Sequence, residues 1–181
     1  MNFPNIQQQK YLKELSKKSK LKLCIIGQDI YPEDASGIAF CKNKFEQLLS
    51  YNCSGKYVLK SLGYDLDYFK NEKKISTEEL FIELLNKGVC FINISYELLT
   101  EIPIEQLEDS LSKFKTFNKF FLEKSDNIVL LGKTTTLKLF NKNYSEYTNF
   151  ETLIHPSPRN KSKLEWKEIY EKPFLKDKYM L

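Results

Sequence analysis

The chain has 181 residues, 41% hydrophobic and 14% aromatic, which is enough to build a folded core and too apolar for a disordered chain. A net charge of +4 permits a polyanion as partner without requiring one. No leading segment has the form of a signal peptide and no apolar run approaches the length of a membrane span. The chain therefore reads as intracellular and cytoplasmic, or nuclear or nucleoid-bound, with no membrane partner. Its four cysteines, at positions 24, 41, 53 and 90, show no CxxC spacing. Cys24 and Cys90 lie in strand-like runs, as reduced core cysteines do, so neither an iron–sulfur cluster nor a zinc site is expected.

In chain order, Pro4 opens a lysine-rich helix over residues 5–18, with Ile6, Tyr11, Leu12 and Leu15 in a partial stripe. The run Leu23-Cys24-Ile25-Ile26, within a strand over 21–26, suits burial on both faces and stops at Gly27-Gln28-Asp29. Tyr31-Pro32 and residues 34–37 force an irregular loop before Ile38-Ala39-Phe40. Ser54 is placed to cap a helix with Tyr57, Val58 and Leu62 inward. Ser76-Thr77-Glu78-Glu79 fits a capping box, and its helix runs through Leu85 until Gly88 closes it.

A second buried strand, residues 89–93, ends in Asn93. A long helix over 104–124 comes next, with Leu107, Leu111, Phe114, Phe117 and Phe121 on or near one face. Residues 128–131 form a third strand stopped by Gly132, 134–141 a short helix, and 150–154 a fourth strand ending at His155-Pro156-Ser157-Pro158-Arg159. A last helix, 164–170, carries Trp166. This alternation predicts a single α/β domain over 1–181, with its N-terminal helix within 1–20. Three layers, α/β/α, surround a central four-stranded parallel sheet.

Parallel strands present their carboxyl ends on one edge, so Asp29, Asn93, Gly132 and His155 are expected to face one cleft. An acid, an amide and an imidazole together suit the reading and activation of a small polar ligand. The acid and the imidazole each have a plainer explanation. Asp29 could cap an ordinary strand-to-loop junction, and His155, the only histidine, could be structural, although its flanking prolines hold the ring as a pre-organised site requires. Gly132-Lys133-Thr134 invites a phosphate-loop reading, but the glycine that motif needs five residues earlier is Asn127. One histidine without clustered carboxylates leaves no ligand set for a metallohydrolase.

Three of these strand ends, in order, resemble uracil-DNA glycosylase. That family's GQD-x-Y opening stands as Gly27-Gln28-Asp29-Ile30-Tyr31, its strand-end Asn as Asn93, and its HPSP motif as His155-Pro156-Ser157-Pro158. The resemblance implies that Asp29 orients the attacking water and stabilises the cationic sugar. It implies that neutral His155 donates to uracil O2 and that Asn93 reads N3 and O4. Phe40 would stack on the flipped base, Tyr31 would exclude the thymine methyl, and Gln28 would line the pocket through its backbone. Ser54 and Ser157 would grip phosphates, the plain N-cap reading of Ser54 standing equal beside this. The sequence departs from most members in having Ile30 for Pro, Pro32 for His, a Phe about two residues early, and Arg159 where a leucine wedge is usual. These features, with Leu-Gly-Lys at 131–133, resemble the poxvirus-type branch. The resemblance thus implies a monomeric repair enzyme without metal or cofactor, acting on uracil-containing DNA, with replication or repair proteins and a proteinaceous inhibitor as further partners. The alternative is a glycosylase fold kept as a DNA-binding or replication-accessory subunit; Asp29, Asn93 and His155 together favour activity, since a scaffold needs none of them.

Overall fold

The computed structural model describes residues 6–181; the predicted helix start at Pro4 and Asn5, and the inward placing of Ile6, lie outside what it describes. Four parallel strands, β1 (Leu23–Gly27), β2 (Val89–Asn93), β3 (Ile128–Leu131) and β4 (Glu151–Leu153), form one sheet in the order β2-β1-β3-β4. The helices are α1 (Ile6–Ser16), α2 (Phe45–Leu48), α3 (Ser54–Ser61), α4 (Leu66–Tyr68), α5 (Thr77–Asn86), α6 (Leu107–Leu122), α7 (Thr135–Asn143), α8 (Leu164–Tyr170) and α9 (Phe174–Tyr179).

Every residue of β1, β2 and β3 is buried, so these strands are covered on both faces and need no polar alternation. Phe81 of α5 packs against Phe91 of β2 with ring centroids 4.8 Å apart, while α7 packs on β3 and on α6. The wholly buried Trp166 of α8 meets Tyr57 of α3 edge-on at 4.9 Å. Strand β2 lies at the margin of the sheet, and there the Phe91 N–H donates to the Tyr11 hydroxyl of α1 at 2.9 Å. A phenol thus satisfies an edge amide that no strand reaches.

The chain enters the sheet at β1, builds outward to β2, then crosses back to β3 and on to β4. Loops after β1 and β3 therefore leave in opposite directions, which opens a crevice at the carboxyl ends of the strands.

Strands β2 and β3 and helix α8 have the bounds expected from sequence, and the Ser76–Glu79 capping box is present with both reciprocal bonds. Several boundaries differ. Strand β1 starts at Leu23, because Leu21 makes only an isolated bridge to Ser125. The long helix begins as a 3-10 turn, Ile104–Gln106, with Ile104 86% exposed; only from Leu107 does an α-helix form. Strand β4 keeps three residues of the expected five. Ser54 is not the N-cap of α3: Cys53 holds that place and Ser54 is the first helical residue, making no capping bond.

Candidate active site

A pocket of about 330 Å³ lies at the carboxyl edge of the sheet, lined by Gly27 to Pro32, Phe40, Ser54, Asn93, Leu98, Thr100 and His155. It brings together Gln28, Asp29, Tyr31, Phe40, Ser54, Asn93 and His155 from five separate stretches of chain. Ser157 and Arg159 stand outside it on the turn after His155, with Arg159 exposed. Gly132, expected at the cleft, is not among the lining residues either: a methyl placed on it would meet Thr136 and stand 3.9 Å from the His155 ring. A larger depression of about 600 Å³ opens among α3, α4 and α9, but no strand end reaches it.

Asp29 is half-buried, and its Oδ2 accepts from the Leu99 N–H at 3.0 Å. Burial raises its pKa, an effect opposed by the Leu99 N–H and by a hydrogen bond from the Gln28 side chain. Gln28 is among the residues that line the pocket. Its backbone carbonyl is taken by the Ser95 N–H at 3.0 Å, and its side chain serves the Asp29 carboxylate.

Asn93 is 1% exposed, and its amide nitrogen has no partner among the described residues. Leaving a buried donor unpaired costs about 1–3 kcal/mol, which a ligand acceptor would recover. The strand end itself is fixed from behind. Asn118 of α6 donates to the Asn93 carbonyl at 2.8 Å and to the Tyr144 hydroxyl at 2.9 Å, and accepts from Tyr96 at 3.3 Å.

His155 has its Nδ1 turned onto the Ser157 N–H, from which it accepts at 3.1 Å. Burial lowers its pKa, favouring the neutral ring. With Nδ1 an acceptor, the neutral tautomer carries its proton on Nε2. The turn is pinned by Asn160, whose side chain donates to the His155 carbonyl at 3.0 Å, and by the Tyr170 hydroxyl, which donates to the Ile154 carbonyl at 2.6 Å.

Phe40 adopts a left-handed backbone with φ of 63°, an unfavourable state for a bulky residue that the surrounding packing must hold. Its ring lies against Gly27: a Cβ there would stand 3.2 Å from the ring and 2.6 Å from the Asn93 Oδ1. Only glycine lets the ring and the amide share this floor. The Tyr31 hydroxyl accepts from the Gly55 N–H at 2.9 Å, tying the wall of the pocket to the first turn of α3, while Lys42 sits 4.4 Å from the ring centroid.

Sequence reasoning missed Leu99, Asn118, Asn160 and Tyr170. Asn118 had a signal, a lone amide within the phenylalanine-rich face of α6; Leu99 acts through its backbone and had none. Lys133, the lysine of the discounted phosphate loop, pairs with Glu165 at 2.7 Å. No group of three or more histidine, cysteine or acidic side chains that could hold a metal exists among the described residues. No helix among them is long and apolar enough to cross a membrane.

No family model matches the chain, and no curated protein matches it. Among solved structures, mimivirus uracil-DNA glycosylase is similar at 20% identity and a TM-score of 0.46, over 77% of this chain and 51% of that one. A single-residue variant of mimivirus UNG in complex with UGI gives 17% identity and a TM-score of 0.47, over 83% and 56%. A second such variant with UGI gives 21% and 0.45, over 78% and 52%. The chain spans about half the length of the solved structures it matches.

Proposed function

We propose that the chain is a uracil-DNA glycosylase, hydrolysing the N-glycosidic bond of a deoxyuridine flipped out of DNA. The observation that carries this reading is the buried, unpaired amide nitrogen of Asn93 in one pocket with a carboxylate and a neutral imidazole. An amide supplies a donor for uracil O4 and an acceptor for N3–H, a pairing that the cytosine edge reverses. Phe40 offers a face for the base, and Tyr31 walls the side where thymine carries its methyl.

In the reaction the bond between C1′ and N1 breaks and the base departs with its electron pair. His155 Nε2–H donates to O2, where negative charge gathers, and the neutral ring does so without becoming a competing acid. Asp29 faces the developing sugar cation and holds the water whose oxygen then bonds C1′. The water's proton leaves to solvent, and N1 is protonated after departure. Ser54 and Ser157 are assigned to the flanking phosphates and Arg159 to the gap left by the base. Uracil-containing DNA is the partner this reading requires; replication or repair proteins and a proteinaceous inhibitor are further partners it admits.

The test is release of labelled uracil from a single-stranded and a U·G duplex oligonucleotide in EDTA. Wild type is expected to cleave, and His155→Ala to be slower by about 10²–10³-fold, the range for removing one donor to a developing anion. A folded wild type that binds DNA but releases nothing would transfer the assignment to the accessory-subunit reading.

The wall residue has its own test. Tyr31→Ala is expected to release thymine from a T·G duplex, whereas Tyr31→Phe, which keeps the ring and loses only the hydroxyl's bonds with the Gly55 N–H and the Cys53 sulfur, should keep the uracil preference. An alanine variant as selective as wild type removes Tyr31 from the specificity wall.

A further inference from the structure

Beside the pocket, the turn before α3 presents Tyr51, 59% exposed although it is a large aromatic. Its backbone is fixed: the Tyr51 carbonyl accepts from the Tyr57 hydroxyl at 2.9 Å, and the Tyr57 ring rests edge-on against Trp166 at 4.9 Å. Across from it, Lys161 stands 5.4 Å from the Tyr51 ring centroid and 5.9 Å from that of Trp166, held between two aromatic rings. Tyr51 lies three residues before Ser54 and Lys161 six after His155, so the pair joins two of the segments that form the pocket.

The turn that carries Lys161 holds two further cations. Arg159, Lys161 and Lys163 have no ion-pair partner among the described residues, and Glu165, the nearest acid along the chain, is taken by Lys133. The turn that carries them is closed by backbone bonds from Lys161 to Pro158 at 3.0 Å and from Lys163 to Asn160 at 2.9 Å. Leu164 adds a second exposed apolar side chain, 72% exposed, at the start of α8. An exposed ring beside unpaired cations is how proteins hold single strands: the ring takes a base face and the cations take the backbone.

We infer that Tyr51 and Lys161 form a stacking platform for an unpaired nucleobase of single-stranded DNA. It is a subsite next to the pocket, apart from the serines assigned to the flanking phosphates, that takes a base from a strand free of its complement. A duplex keeps its base faces within its own stack and offers this ring nothing, whereas a single strand can splay a base onto it. The inference rests on the glycosylase reading for which nucleotide enters the pocket, but not for the platform itself.

The experiment measures binding of a fluorescent, uracil-free single-stranded oligodeoxynucleotide and of its duplex, beside uracil release. Tyr51→Ala is expected to weaken single-strand binding about tenfold and duplex binding less than about twofold, with Tyr51→Phe like wild type. Lys161→Ala should weaken single-strand binding and flatten its salt dependence. Equal losses on both forms, or no loss at all, overturn the platform. So does a wild type without affinity for single strands, which leaves the patch to a protein partner. If wild type releases no uracil yet binds single strands through Tyr51, the glycosylase reading falls and the platform stands. If uracil is released and Tyr51 is irrelevant, the platform alone falls.

Discussion

Asp29→Asn is expected to lower uracil release about a thousandfold, the upper range for removing one pre-organised electrostatic group, while leaving the folded chain no less stable. The two halves of this result have one cause. Burial raises the Asp29 pKa, so ionising it in the folded chain costs more than in the unfolded chain. As pH rises from the ordinary carboxylate value, about 3.9, through the raised folded value, the unfolded chain loses its proton first and stability falls across that window. The amide variant escapes this loss and can still accept from the Leu99 N–H. Above the window its melting temperature should equal or exceed that of wild type; below it the two should converge. In wild type the same shift is expected to move the acid limb of kcat/KM above the ordinary carboxylate range, because in the proposed reaction only ionised Asp29 stabilises the cation. Melting curves and rates measured across pH check both halves. A variant with full turnover, or one destabilised at neutral pH, would sink this account.

Gly55→Ala should destabilise the fold by about 3 kcal/mol, the upper end of the range for overpacking. On helical propensity alone the sign would be opposite, since alanine in a helix is favoured over glycine by about 1 kcal/mol. Here α3 approaches the preceding loop so closely that a methyl on Gly55 would overlap the Phe40 carbonyl oxygen and touch Leu48. Backbone cannot yield as a side chain does. To make room, either the first turn of α3 or the left-handed Phe40 must move, and the Gly55 N–H would lose the Tyr31 hydroxyl. A urea midpoint shifted downward, together with loss of uracil release, is the expected result. A midpoint unchanged or raised would show that the contact is slack.

Both substitutions probe features of unequal legibility in the sequence. Strands β2 and β3 are readable because they are continuous apolar runs bracketed by Gly88, Asn93, Asn127 and Gly132, and burial on both faces demands nothing subtler. The three polar strand ends of the pocket follow from parallel topology. Ser54 is misplaced when capping is judged from side-chain type alone. What fixes the start of α3 is the contact between Gly55 and Phe40, a tertiary contact with no local signature. Helix α9 lies beyond the last helix expected, 164–170: Pro173 and the polar run Lys176-Asp177-Lys178 leave it little apolar pattern, although its Leu175 is wholly buried. The clasp on Asp29 is illegible for a different reason: its donor is a main-chain amide, which any residue at position 99 except proline would supply.

The hydroxyl of Tyr11 on the outer side of β2 has a bearing on how the pocket fails. Strand β1, which leads to Asp29, is flanked by neighbours on both sides, whereas β2, which ends in Asn93 and leads to Leu99, has a strand on one side and a phenol on the other. A margin held this way opens at lower free energy than the middle of the sheet, in excursions that need not unfold the rest. In such an excursion the amide and the loop that clasps the acid swing away together, while the acid stays on the rigid half. Recognition and chemistry would then be lost at the same moment, from a molecule that spectroscopy would still count as native.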